Sequence, residues 1–174
     1  MRANPQSAIR DPKSSGLTLI EVVASTMIVG LMAVASLNAL AAATKSANSI
    51  GNRAIAAGLA DELMSEIMMQ PYSDPDGSAT FGNESGESTA SRSAFDDVDD
   101  YNGWNCSPPK YRDGTVIPDR TNWRQRVVVA KVVPATPTQT SASEQGAKQI
   151  HVTIEYQNQV LADQIAVRTD TDDK

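Results

Sequence analysis

The residue types that most often carry chemistry are almost missing from this chain of 174 residues, which has one cysteine, Cys106, and one histidine, His151. A single cysteine excludes an intrachain disulfide and cannot build a structural zinc site. Cys106 therefore reads as an unpaired, inert thiol. His151 falls on the polar side of an alternating stretch, and neither Cys106 nor a marked serine motif is tied to it. It reads as a satisfied surface histidine rather than a general base. The sequence has no Gly-rich phosphate loop, HExxH or GxSxG. A non-catalytic protein is the expectation.

Basic charge is the second shortage. The formal net charge is −6, and the few basic residues are unevenly placed. Arg2, Arg10 and Lys13 against Asp11 make the first sixteen residues basic; beyond them 12 Lys and Arg face 20 Asp and Glu. A surface of that sign repels nucleic-acid backbones, and no basic stripe with interleaved aromatics offsets it. Direct nucleic-acid binding is excluded as an expectation.

Charge of either sign is absent from Val22 to Ala43, a run of 22 residues. As a helix that run extends roughly 33 Å, enough to cross the hydrocarbon core of a bilayer. The basic residues before it should stay cytoplasmic, which exports everything after it. A secretory signal would need a shorter apolar region, although Ala41-Ala42-Ala43 offers a small-residue cleavage site. A plain anchor fits the length but leaves Glu21 unexplained, since an acid at the edge of a span is costly without a partner.

The segment Ser14-Ser15-Gly16-Leu17-Thr18-Leu19-Ile20-Glu21-Val22-Val23 resembles the class III prepilin cleavage site of type IV pilins and type II secretion pseudopilins. In that family a prepilin peptidase cuts after the glycine and methylates the new N-terminus. The resemblance implies cleavage between Gly16 and Leu17, N-methylation of Leu17, and an assembly role for Glu21 as the fifth mature residue. The family more often begins its mature chain with Phe. A carboxylate one turn from a new cationic amine can neutralise it, in its own chain or a neighbour, where an unpaired charge would be expensive. The positive end of the helix dipole also favours an acid there.

Helical character continues beyond the span. Ile55, Leu59, Leu63 and Ile67 recur every four residues, with Met64 and Met68 widening the stripe as core packing. Gly30, Gly51 and Gly58 weaken the helix locally, and Pro71 ends it. Residues 71–122 are rich in turn signals and read as irregular. Strands are expected over 124–133, 148–156 and 160–168, the last two joined by a short turn at Gln157-Asn158. In the second, Ile150, Val152, Ile154 and Tyr156 alternate with Gln149, His151, Thr153 and Glu155. Residues 135–147 read as a mobile connection.

The expected fold class is α+β: a long N-terminal helix with a membrane-spanning first half, packed on a small antiparallel sheet. The segments would be a leader over 1–16, the spanning half of the helix over 17–44 and its amphipathic half over 45–70. A loop and sheet domain over 71–168 and an acidic tail over 169–174 would follow.

Phe95-Asp96-Asp97-Val98-Asp99-Asp100-Tyr101-Asn102-Gly103-Trp104 is similar to an element of minor pilins of the mannose-sensitive haemagglutinin type. Read without that resemblance, Asp96, Asp97, Asp99 and Asp100 are candidate ligands for Ca²⁺, which prefers carboxylate and carbonyl oxygens. Their spacing is not that of an EF-hand. The alternative is a solvated acidic loop with Phe95, Tyr101 and Trp104 packing inward. The resemblance implies a structural minor pilin or pseudopilin subunit. Its partners would be the prepilin peptidase, other pilin-like subunits and the inner membrane, with the sheet domain periplasmic. A membrane-anchored periplasmic adaptor that never polymerises is the competing expectation.

Overall fold

A computed structural model describes residues 16–77 and 80–170. The expected leader therefore lies outside the described residues except for Gly16, and so does the tail beyond Asp170. The chain divides into two units, residues 1–46 and 47–174.

One helix, α1, runs from Leu19 to Met68 and passes through Gly30, Gly51 and Gly58 without a break. In the first unit it is exposed and apolar, with a mean hydropathy of 2.0 over its most apolar 18-residue window. It is long and apolar enough to cross a membrane. Its hydroxyls turn back on the helix. Ser25, Ser36 and Thr44 donate to the carbonyls of Glu21, Met32 and Leu40 at 2.6, 2.8 and 3.0 Å. Hydroxyls satisfied in this way need no water, which suits an apolar surrounding.

In the second unit α1 buries a stripe of Ala56, Leu59, Ala60, Leu63 and Ile67, with Ile55, Met64 and Met68 at its margins. The stripe recurs at the expected helical spacing. The helix stops three residues before Pro71, whose missing N–H could not continue it.

Five strands form an antiparallel sheet: β1 (Asn105–Cys106), β2 (Trp123–Val133), β3 (Thr136–Thr140), β4 (Ala147–Tyr156) and β5 (Gln159–Thr169). The order is β1-β2-β4-β5, with β3 paired to the far end of β2. Val127, Val129, Ile150, Val152 and Ile154 project to the inner face and meet the helix stripe in one core. Gln157 and Asn158 join β4 to β5 with φ of 50° and 64°. Two consecutive left-handed residues make the tight turn that matches strand twist.

The architecture is the expected α+β one, with two local corrections. Residues 135–147 are not a featureless connection, because they contain β3. Residues 71–122 are built around buried side chains, among them Tyr72, Arg92, Phe95, Val98, Tyr101 and Trp104. Their turns close on each other, as where Arg92 N–H donates to Arg112 O at 2.9 Å.

Candidate functional site

At the N-terminal end, Gly16 and Leu17 precede the helix and are exposed, Leu17 at 72%. Thr18 caps the helix: its Oγ1 accepts from Glu21 N–H at 3.3 Å, and its carbonyl accepts from Glu21 and Val22 at 3.0 and 3.2 Å. Thr18-Leu19-Ile20-Glu21 is thus the spacing of a capping box. That signature was available in the sequence, and the bond to Thr18 Oγ1 comes from the Glu21 backbone N–H. Glu21 is exposed and is the only charged residue between Leu17 and Thr44.

In the second unit, the four aspartates that the sequence groups together are divided by the structure. The aromatics around them pack inward. Phe95 meets Tyr101 and Trp104 edge-on, with centroids 5.1 and 6.1 Å apart. Asp97, Asp99 and Asp100 are 3–4% exposed, so this is not a solvated loop. Buried carboxylates need donors, and the backbone supplies them. Asp97 Oδ1 accepts from the N–H groups of Asp99 and Asp100 at 2.7 and 3.1 Å. Asp100 Oδ2 accepts from those of Asp96 and Asp97 at 2.9 and 3.1 Å. The reciprocal bonds fold the segment into a 3-10 turn, Asp99–Tyr101. Val129 N–H then donates to Asn102 Oδ1 at 3.1 Å, which fixes the turn to β2.

Asp97 and Asp99 face Lys148, a buried lysine on the inner side of β4. Burial pushes the Asp97 carboxyl up to about 7, with Asp99 adding repulsion and Lys148 opposing it. Asp96 and Asp100 instead gather with Glu87, and one oxygen from each lies within 4.8 Å of the others. Desolvation first and Asp100 next raise Glu87 to about 7 against the lowering effect of the Glu84 N–H. Asp96 is raised by desolvation, Asp100, Asp74 and Asp76. Three oxygens of this kind suit a hard cation such as Ca²⁺ rather than a thiophilic metal. The donor set that the geometry offers is therefore Glu87, Asp96 and Asp100. Asp97 and Asp99 are occupied elsewhere, and the fold brings Glu87 into the set.

The remaining candidates are placed plainly. His151 is half-exposed on the outer face of β4, where Nε2 contacts Asp163 Oδ1. Cys106 Sγ donates to Gln125 Oε1 at 3.4 Å, and burial raises its thiol above the ordinary range. No protein-family model, curated protein or solved structure matches the chain. The functional reading consequently rests on the residues themselves.

Proposed function

We propose that the chain is a structural minor subunit of a type IV pilin-like filament or a type II secretion-like assembly. A prepilin peptidase cuts it between Gly16 and Leu17 and methylates Leu17. The exposed half of α1 then lies in the inner membrane, with the sheet domain in the periplasm, until the subunit enters the filament. The observation that carries this reading is the apolar, solvent-facing half of α1, whose single charge, Glu21, follows the Gly16-Leu17 junction by one helical turn. Among the described residues of its own unit a helix of that kind has no packing partner, and it needs lipid or neighbouring helices. The similarity of Phe95–Trp104 to minor pilins supports a minor subunit over a major one.

The test compares protein isolated from cells with and without a prepilin peptidase, by N-terminal mass and by sedimentation with filaments. Peptidase-dependent loss of residues 1–16, methylation at Leu17 and recovery in the filament fraction are expected. A chain still beginning at Met1 in the presence of the peptidase overturns the reading. Processing with no filament recovery favours the anchored adaptor instead.

A further inference from the structure

We propose that Lys148 and Asp99 condense into an intramolecular amide, a covalent cross-link between β4 and the turn Asp99–Tyr101. The two residues are 49 positions apart, and Lys148 Nζ donates directly to Asp99 Oδ1. Their side chains are 4% and 5% exposed, and Asp97 beside them is equally buried. Lys148 Nζ also donates to the Tyr72 carbonyl and sits 4.4 Å from the centre of the Tyr72 ring. The amine is thereby held against the carboxyl in one orientation. Such placement is worth effective concentrations of about 10⁵–10⁸ M in model reactions.

The other parts that an acyl transfer needs are present. Gly82 N–H donates to Asp99 Oδ2 at 2.9 Å, where it polarises the carboxyl and holds the oxyanion of a tetrahedral intermediate. Asp97 Oδ2 lies 3.8 Å from Nζ, and its other oxygen is pinned by two backbone N–H groups.

The step balances without any co-reactant. One proton passes from Nζ to Asp99 Oδ1, and the amine attacks Asp99 Cγ. As the C–N bond forms, Asp97 takes a second proton from Nζ, and the charge rests on Oδ2 beneath Gly82. Asp97 returns that proton to Oδ1, the Cγ–Oδ1 bond breaks, and water leaves. The amide keeps one hydrogen, and Asp97 ends as it began. A cleft of about 210 Å³ lined by Asp97, Asp99, Lys148, Lys131, Glu144 and Phe81 gives the water an exit. The cross-link removes two buried charges and ties the loop to the sheet in a chain whose single cysteine cannot form an intrachain disulfide.

The experiment is the mass of the full chain purified from its native membrane and unfolded in denaturant, with its N-terminus read separately. The expected mass is one water below that calculated for the chain from its observed N-terminus, with any methyl group found there included, and digestion yields a branched peptide joining Asp99 to Lys148. Asp97→Asn, checked for retained fold by circular dichroism, and Lys148→Arg should each restore the full mass. A wild-type mass with no water lost overturns the proposal even if a variant fails to fold. Water loss that persists in Lys148→Arg overturns it equally.

Discussion

Arg92 grips Glu66 through two parallel hydrogen bonds of 2.9 Å, Nε to Oε1 and Nη2 to Oε2. Glu66 belongs to α1 and Arg92 to the turn-rich region, so the fork fixes the long loop to the helix. Tyr101 Oη donates to Glu66 Oε1 at 3.0 Å, and the guanidinium lies 4.7 Å above the Trp104 ring. The Arg92 side chain is 2% exposed and that of Glu66 15%. Breaking such a pair strands a buried charge. Arg92→Ala should cost about 3–5 kcal/mol in chemical unfolding, as one-sided loss of a buried ion pair does. A second unfolding series with Glu66→Gln tests the coupling: the double variant should cost much less than the sum of the singles.

Gly114 adopts φ of 89°, and a Cβ there would stand 2.9 Å from Ser91 Cβ and 3.2 Å from Ala90 O. Gly77 is also left-handed, at 79°, but a Cβ there meets no atom of the described residues within 4 Å. Both lose about 1–2 kcal/mol to backbone conformation when replaced by alanine. Only Gly114→Ala adds a collision with another turn. Its unfolding midpoint should therefore fall clearly below that of Gly77→Ala, and equal midpoints would dismiss the contact.

Glu87 gives the domain a pH dependence of definite sign. Its carboxyl is raised to about 7 in the fold, with burial as the largest cause and Asp100 as a further one. A group raised on folding binds its proton more tightly in the native state. The stability it contributes is complete below its unfolded value of about 4.3 and is lost as pH rises through 7. Thermal unfolding at pH 5 and pH 8 should show a loss at the higher pH that is smaller in Glu87→Gln. Millimolar Ca²⁺ at pH 8 should recover the loss if Glu87, Asp96 and Asp100 take the ion.

The elements governed by local pattern were legible in the sequence, and the features governed by distant partners were not. The α1 stripe and strands β2, β4 and β5 follow from periodicity, because each presents a repeating apolar face to one core. Strand β3 carries no such signal: Thr136–Thr140 is mostly exposed, contains Pro137 and pairs with β2 across a register shift. Burial of Asp97 and Asp99 depends on Lys148, which no local reading of the loop contains. A clue did exist on β4, where Lys148 lies two residues before Ile150 on the inward side of the alternation. A lysine there requires a buried acid. Glu155 shows the converse. It alternates outward, yet Arg124 and Arg126 close over it at 3.3 Å each and bury it.

Glu21 serves two readings that a pair of substitutions separates. Thr18 caps the first turn of α1 through the Glu21 backbone N–H; under the proposed function the Glu21 carboxylate neutralises the amine created at Leu17. Glutamine keeps the capping geometry and removes the charge. Glu21→Gln should leave helix content and peptidase cleavage intact while abolishing recovery in filaments. Thr18→Ala should do the reverse, weakening the helix start by about 0.5–2 kcal/mol while the charge remains. Hydrogen exchange over Leu19–Val23 measures the first effect and filament recovery the second. If Glu21→Gln assembles normally while Thr18→Ala does not, the residue acts through the cap, and the pairing with the amine is refuted.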